Sequence, residues 1–382
     1  MKAHRWLVTV LSLALIIAFS NTPAPGLVNE RNADSYKLVF ANGPNTDDFL
    51  DQLNKAGEQG YKLLSVMYRS QRLSGWNYYR APVAILKLDS VQHEYASFKT
   101  TSEHAHTVEG FEQQYEELSK RGFHLVDALV DVICPDTDYE GNCRYAYTHM
   151  FLLEREKGVE KPLQFIVARA RLQGKENMGA ELTEQIKAKL GEGFYPLNVF
   201  SKWEILLTQR EKNELSTGNA DVRVVTNSFP RDVKGKIEDL TRQGYRLLVV
   251  NSGIAVMYRR ADSATPVSYE WVDADKGDFE KRLLELQNRG AVYRMIYLNR
   301  DRTTKEKLIL ELDAADTRQR REYKVLRFEF QDVKVAAGKM VQPELTPSSK
   351  ETLKLLNNLA KEGFEVRELF KSKKLSVLLE RS

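Results

Sequence analysis

Hydrophobic positions follow a helical period in short segments that end at a glycine, and such a segment recurs six times along the chain. In each copy, apolar or aromatic residues stand near positions eleven, seven and four before the glycine, a spacing that places them on one helical face. An aromatic residue follows the glycine in five copies. The six glycines are Gly60, Gly122, Gly193, Gly244, Gly290 and Gly363.

A glycine at this position predicts the end of a helix, because glycine takes the left-handed conformation that lets the chain leave the last turn. Strand-like runs flank each helix, so the predicted unit is β-α-β-β: a crossover through a helix and then a hairpin. The runs before the helices are 36–40, 95–98, 163–169, 222–226, 267–272 and 323–330. The closing runs are 82–88, 145–155, 203–210, 254–260, 306–312 and 375–381.

The expected fold class is α+β, with six degenerate β-α-β-β repeats that form mainly antiparallel sheets, each with one helix on a face. The predicted organisation is a signal peptide at 1–20 followed by repeats at 21–90, 91–160, 161–215, 216–265, 266–318 and 319–382. A three-stranded sheet with one helix needs neighbours to cover its edges and faces. The sequence leaves open whether the units pair edge to edge or pack face to face, including as three pairs.

Two of the copies match a motif found elsewhere. The segments LNKAGEQGYKLLSV (53–66) and LTRQGYRLLVV (240–250) resemble small uncharacterised bacterial domains that carry the motif L-N-x-L-G-x-E-G-W-E-L-V. Tyr61 and Tyr245 replace the tryptophan of that motif, and the other four copies match it more loosely. The resemblance implies a fold module and, because that family has no established activity, it implies no chemistry.

The first twenty residues have the pattern of a secretory signal peptide. Lys2 and Arg5 supply a positive start, and an apolar run over 7–19 follows, closed by the small residue Ser20. That run is shorter than the ~20 residues of a membrane-spanning helix. We therefore expect cleavage after Ser20, export to the periplasm or the extracellular space, and no membrane insertion after cleavage.

Charge and composition narrow the class of partner. The chain has 57 Lys+Arg and 53 Asp+Glu, and removal of Lys2 and Arg5 leaves 55 against 53, a net charge of +2. Such a balance gives no strong field for nucleic acid, so we expect a protein, peptide or glycan partner instead. With 42% hydrophobic and 29% charged residues, the composition is that of a folded globular chain.

Histidines concentrate in the second unit, which holds His93, His104, His106, His124 and His149. His104 and His106 are separated by one residue, so in an extended segment both imidazoles point to one side and, with Glu103, can ligate zinc or copper. His93 is a further candidate ligand. Against this interpretation, His124 takes a position that is basic in sister units, and zinc needs three or four convergent ligands.

The two cysteines flank eight residues of a predicted hairpin. In an exported protein, this arrangement of Cys134 and Cys143 predicts a disulfide, which would stabilise the fold by roughly 2–3 kcal/mol. A reactive thiol pair or metal ligation is the alternative, although a C-x-x-C spacing is missing. The enclosed Asp136, Asp138 and Glu140 alternate like calcium ligands, but the EF-hand pattern is absent.

An aromatic and basic loop joins the last two strands of the first unit. Trp76, Tyr78 and Tyr79 alternate there with arginines such as Arg80, so the loop is a candidate site for stacking on a sugar, a peptide or a partner protein. The alternative is that these rings cover a neighbouring unit.

Sequence patterns typical of catalysis are missing: the chain has no G-x-S-x-G, H-E-x-x-H, G-x-G-x-x-G or phosphate-loop motif. The favoured hypothesis is a non-enzymatic exported repeat protein that serves as a binding or structural module, without a cofactor. One alternative is a metal-dependent or hydrolytic enzyme centred on His104, His106 and Glu103. Another is a peptide or glycan binder that uses the loop around Trp76.

Overall fold

A computed structural model describes most of the chain beyond residue 33. The described residues are 34–41, 46–74, 77–102, 110–137, 143–170, 178–199, 204–209, 220–226, 230–251, 253–260, 266–297, 306–313, 321–330, 335–336, 339–340, 345–371 and 374–382. For residues 46, 69–74, 77–80, 101–102, 130–137, 143–147, 230–232, 335–336 and 339–340, the description covers the backbone only. Residues 35–382 form one compact unit.

The first three repeats each contain one helix and three strands. Repeat 1 has β1 (Tyr36–Phe40), α1 (Thr46–Glu58), β2 (Tyr61–Ser74) and β3 (Asn77–Leu88). Repeat 2 has β4 (His93–Ser102), α2 (Phe111–Lys120), β5 (His124–Thr137) and β6 (Cys143–Glu156). Repeat 3 has β7 (Phe165–Arg169), α3 (Met178–Leu190), β8 (Phe194–Val199) and β9 (Glu204–Gln209).

The last three repeats follow the same order. Repeat 4 has β10 (Ala220–Thr226), α4 (Pro230–Thr241), β11 (Arg246–Asn251) and β12 (Ile254–Arg260). Repeat 5 has β13 (Val267–Asp273), α5 (Phe279–Asn288), β14 (Val292–Tyr297) and β15 (Lys307–Asp313). Repeat 6 has β16 (Glu322–Phe328), a small ribbon of β17 (Val335–Ala336) and β18 (Lys339–Met340), α6 (Pro347–Lys361), β19 (Glu365–Lys371) and β20 (Leu375–Arg381).

Every repeat forms an antiparallel three-stranded sheet in which the third strand lies between the first and the second. The helix joins the two outer strands, as the β-α-β-β pattern predicts. All six glycines that end the helical segments have a positive φ, between 79° and 89°. The predicted fold class, an α+β architecture of six repeats, is therefore confirmed.

The central strands are buried on both faces. Four consecutive residues of β3, Val83 to Leu86, have no exposed surface, and they alternate between two hydrophobic cores. Ala84 and Leu86 pack against α1 of their own repeat, whereas Val83 and Ile85 pack against α6 of repeat 6. Each sheet is thus covered by its own helix on one face and by the helix of the preceding repeat on the other.

The six cores follow one another around a closed ring of contacts. Each core combines one helix and its sheet with the opposite face of the next sheet, from repeat 1 through to repeat 6. The sixth core joins repeat 6 back to β1 and β3 of repeat 1. The repeats therefore pack face to face through six interfaces, and an arrangement as three separate pairs does not occur.

Tyrosine hydroxyls join neighbouring repeats at four of these interfaces. Each tyrosine lies on the first strand of one repeat and its hydroxyl accepts a hydrogen bond from a backbone N–H on the second strand of the preceding repeat. The bonds are Leu63 N to Tyr95 (2.8 Å), Leu247 N to Tyr269 (2.7 Å), Tyr293 N to Tyr323 (2.8 Å) and Val366 N to Tyr36 (3.0 Å). These bonds give acceptors to buried backbone donors, and Leu63 N also donates to Oε2 of Glu154 (3.2 Å).

Side-chain amides on the helices cover the free edges of the first strands. The Oδ1 of Asn357 on α6 accepts a hydrogen bond from Tyr36 N (2.8 Å), and its Nδ2 donates to Tyr36 O (3.2 Å). Asn54 on α1 makes the same pair of bonds to the backbone of Tyr95. Because an edge strand exposes unpaired backbone groups, these amides fix the next sheet against the helix.

Candidate functional site

The residues that the sequence predicts as metal ligands lie mostly outside the described part of the chain. Glu103, His104 and His106 fall in the undescribed stretch 103–109, so the zinc or copper site stays a prediction. Within the described ranges, no group of three or more His, Cys, Asp or Glu side chains is arranged to hold a metal ion.

The residues of the other two predicted sites are only partly described. Trp76 lies outside the described residues, whereas Tyr78, Tyr79 and Arg80 lie on β3 with a described backbone. Cys134 on β5 and Cys143 on β6 belong to two paired antiparallel strands, in which Thr137 is the partner of Cys143. The stacking site and the disulfide therefore stay predictions.

The structure describes the other three histidines of the second unit, which differ in burial and in contacts. His149 is buried on β6 and stacks on Phe151, with ring centroids 6.1 Å apart. The side chain of His124 is 43% exposed, in line with its expected solvent-facing position. His93, at the start of β4, is 2% exposed and lines a groove between repeats 1 and 2.

We call this the His93 groove, and its volume is about 360 Å³. Its walls come from α1, the beginning of β4, the end of α2 and the end of β6. The lining residues are Asn54, Glu58, His93, Glu94, Tyr95, Ala96, Arg121, Phe123, Arg155 and Lys157. Because titratable side chains line it together with a buried histidine, this groove is the candidate functional site.

Two carboxylates hold the imidazole of His93. Its Nε2 lies 2.9 Å from both carboxylate oxygens of Asp89, and its Nδ1 lies 3.4 Å from Oε1 of Glu154, which is 1% exposed. Burial by itself lowers the pKa of His93, but the interactions with Glu154 and Asp89 outweigh it, so the net pKa is raised. The two acids therefore favour the protonated form of His93.

Repeat 6 has a corresponding residue that indicates the role of His93. Arg321 stands at the same position in repeat 6, two residues before the interface tyrosine, and its guanidinium pairs with the buried Glu380. Glu380 in turn corresponds to Glu154, because each is the cross-strand partner of that tyrosine. A permanent cation in the sister repeat indicates that His93 serves to neutralise a buried carboxylate.

Arg155 also lines the groove, and its guanidinium is held by contacts with neighbouring residues of the same repeat. Its guanidinium lies 4.6 Å from the centroid of the Phe123 ring, donates to the carbonyl of Arg121 (2.8 Å) and pairs with Glu94. Arg381 in repeat 6 stacks on Phe364 at 4.6 Å and donates to the corresponding carbonyl. A recurrent arginine that closes the end of a helix is a packing device.

The groove is therefore built for cohesion between repeats. Nε2 of His93 contacts Asp89, and its Nδ1 lies toward Glu154, so both ring nitrogens face carboxylates of the fold itself. The sequence missed Asp89 and Glu154 as the partners of His93. A usable clue was present, since Glu154 ends an otherwise apolar strand run, MFLLE, where a charged residue needs a buried partner.

The raised pKa of His93 predicts the sign of the change in unfolding free energy with pH. The stabilisation is complete below the unfolded-state pKa of about 6.5 and is lost as the pH rises through the raised folded-state value. We expect His93→Gln to lose roughly 1–3 kcal/mol of unfolding free energy at pH 6 and less at pH 9. Urea denaturation at both pH values measures this difference.

Two further variants separate His93 from other groups. His93→Arg copies the sister residue Arg321 and should keep its stability at pH 9 as well as at pH 6. Burial raises the pKa of Glu306 to about 7, so this group contributes in the same direction, and Glu306→Gln serves as the background in which His93 is tested. An unchanged pH profile in the His93→Gln variant would contradict the assignment.

Comparison with known proteins gives no relative. No family model, no curated protein and no solved structure matches the chain. The likeness to small bacterial domains therefore rests on the motif at 53–66 and 240–250. In the described part of the chain, no helix has both the length and the apolar character needed to cross a membrane.

Proposed function

We propose that this chain is a non-enzymatic, exported binding module, in which a ring of six repeats holds two long hairpins out from its edge. We call residues 69–74 of β2 and 77–80 of β3 the first arm, and residues 133–137 of β5 and 143–146 of β6 the second arm. The observation that carries the proposal is the length of these hairpins, which exceeds that of the corresponding described strands in the other four repeats.

The strand lengths make the arms evident. β2, β5 and β6 have 14 residues each and β3 has 12, whereas the corresponding strands of the other four repeats have six or seven. Five to eight additional residues extend a strand by roughly 15–25 Å. Repeats 1 and 2 share one core, so the two arms leave neighbouring sheets.

A rigid ring with protruding arms suits recognition. The ring fixes the base of each arm, which lowers the entropy lost when a partner binds. The first arm also carries the aromatic and basic residues of the predicted stacking site, including Tyr78, Tyr79 and Arg80 on β3. These residue types favour a peptide, glycan or protein surface as the ligand.

Shortening the first arm tests the proposal. Replacing residues 70–80 by Asn-Gly closes the hairpin on the paired residues Arg69 and Ala81 with a two-residue turn. We expect the melting temperature to stay within about 4 °C, because a surface change outside the cores alters stability little. Binding on peptide and glycan arrays, present for the intact protein, should be lost.

One control variant and two contrary outcomes complete this experiment. Trp76→Ala removes one ring and keeps the arm, so it tests the loop itself. A melting temperature that collapses in the shortened variant would show that the arm covers a neighbouring repeat. Stoichiometric zinc or copper in the purified protein, lost on joint replacement of His104 and His106 by alanine, would favour the metal-dependent enzyme instead.

A further inference from the structure

A second groove lies between the helices of repeats 5 and 6. We call it the β16 groove, because the first strand of repeat 6, β16, forms its floor. Its volume is about 350 Å³. One wall is α5, with Leu283 and Leu284, and the other is α6, with Leu355 and Leu359. Both walls therefore present leucines to the groove.

Two of these leucines are exposed and interrupt the polar pattern of the repeats. The side chain of Leu284 is 54% exposed and that of Leu355 is 47% exposed. Leu284 stands six positions before the glycine that ends its helix, where the other repeats have Asn54, Glu116, Lys187, Glu238 and Asn357. Leu355 stands eight positions before its glycine, where the other repeats have Gln52, Gln114, Gln185, Lys236 and Arg282. Since five repeats fold with a polar residue at each position, packing of the ring does not require either leucine.

The floor of the groove is an outward strand edge. β16 pairs with β20 on one side, and Tyr323 N donates to Oε1 of Gln287 on the other side (2.8 Å). Residues two apart on a strand present their N–H and C=O groups to the same side, so Val325 and Arg327 also present theirs outward. Among the described residues, none bonds to these outward groups of Val325 or Arg327. Two donors and two acceptors are therefore available to a further strand.

Two sister repeats cover the equivalent edge from the position of Leu284. There Asn54 and Asn357 each bond to both the N–H and the C=O of the tyrosine that begins the next sheet. A leucine side chain has no polar atom, so in repeat 5 the amide of Gln287 accepts from Tyr323 N instead. Leu284 thus replaces a residue that covers the strand edge with one that adds apolar surface beside it.

Size and charge select the occupant of the groove. Ten residues line it, whereas a stable dimer interface uses about 20–30 residues a side, so the groove suits a short segment better than a second copy of the chain. Its two charged lining residues have partners of opposite sign: Glu280 pairs with Arg327, and Nζ of Lys324 lies 3.8 Å from Oε1 of Glu322. The groove therefore favours an uncharged segment.

We infer that the β16 groove is a docking site for an extended, uncharged apolar segment of a partner protein, which adds as a strand to the outer edge of β16. Successive side chains of such a strand point to opposite faces, toward Leu284 on one wall and Leu355 on the other. The backbone of Val325 and Arg327 supplies the hydrogen bonds. The site belongs to repeats 5 and 6, so it goes beyond the proposed function of the arms in repeats 1 and 2.

Three peptides of equal length provide the probe. The apolar peptide is KKGVLVLVGKK-amide, in which the terminal lysines maintain solubility, and each peptide carries an N-terminal fluorophore for anisotropy measurements with the full chain. One control, KKGTSTSTGKK-amide, replaces the apolar run with polar residues. The other control is the apolar peptide with N-methyl groups on both leucines and the valine between them, which removes consecutive backbone donors. We expect the unmodified apolar peptide to bind about tenfold or more tightly than either control. Equal binding of the N-methylated peptide would contradict strand addition.

Two double variants locate the binding site. Leu284→Gln with Leu355→Gln makes both positions polar, as in the sister repeats, and should weaken the apolar peptide about tenfold or more. Its melting temperature should stay within about 4 °C of the wild type, because both side chains are exposed. The matched control is Val91→Gln with Val159→Gln, which removes two other exposed hydrophobic side chains (41% and 46%) outside the groove and should leave binding unchanged. Equal losses in the two double variants would show adsorption to any apolar surface and overturn the inference.

The outcomes separate this inference from the proposed function of the arms. The variant with the shortened first arm should bind the apolar peptide as the wild type does, since its β16 groove is intact. Loss of peptide binding in that variant would place the site on the arm and overturn the inference. A dimer that forms with rising concentration and disappears with Leu284→Gln and Leu355→Gln would also overturn it, because a second copy would then be the occupant.

Discussion

Replacing Gly57 by alanine is expected to be among the most destabilising single changes in this protein. Gly57 lies in the last turn of α1, where the helix packs against the start of the next repeat. A Cβ at this position would lie 2.3 Å from the carbonyl oxygen of His93 and 2.9 Å from the ring of Tyr95. The backbone oxygen cannot move without shifting β4, so we expect a loss of about 2–4 kcal/mol.

A second helical glycine provides the control for this prediction. Gly235 lies within α4, and a Cβ added there meets no atom within 4 Å. Gly235→Ala should therefore raise the unfolding free energy by about 0.5–1 kcal/mol, because alanine favours the helix and restricts the unfolded chain. Chemical denaturation of the two variants measures both effects. Equal changes would contradict the close approach of α1 to β4.

Removing hydrogen bonds at the interface between repeats 6 and 1 is expected to lower the unfolding free energy by a similar amount. The double variant Tyr36→Phe and Asn357→Ala removes the bonds to the backbone of Tyr36 and the hydroxyl that accepts from Val366 N. Each buried group left without a partner costs about 1–3 kcal/mol, so the total loss should reach roughly 3 kcal/mol. Since this interface closes the ring, hydrogen exchange should increase in β1 and α6 first.

The next residue of the same helix is the matched control. Asn358 is exposed, so Asn358→Ala carries the same change of side chain and the same gain in helix propensity without the loss of an interface bond. We expect its unfolding free energy to equal or exceed that of the wild type. A loss in Asn358→Ala as large as in Asn357→Ala would show that the helix, and not the interface, responds to the change.

Local patterns identified the repeats because their causes are local. Gly60 and its five counterparts take the positive φ that ends a helix, which is a property of glycine itself. The residues seven positions before each glycine, such as Leu53 and Leu356, are buried, since the helical period places them on the face toward the sheet. The number of repeats and the order of their elements could be read from the sequence for this reason.

The packing of the repeats against one another could not be predicted from local sequence patterns. The run Val83 to Leu86 is apolar at every position, which indicates burial on both faces but not the identity of the second neighbour. Asn357 looks like any polar residue of a surface helix, yet it is 3% exposed and bonded to Tyr36. The same holds for His93, which stood out as a candidate ligand and proves to be buried beside Glu154.

The sequence by itself determined the unit of this protein: its helix, its three strands, its glycine and its sixfold repetition. Only the tertiary structure decided that the sixth unit packs on the first and that buried acids such as Glu311 and Glu380 are paired with arginines. The physical reason is distance along the chain. The bond between Tyr36 and Asn357 joins residues 321 positions apart, and no local preference of either residue encodes such a contact.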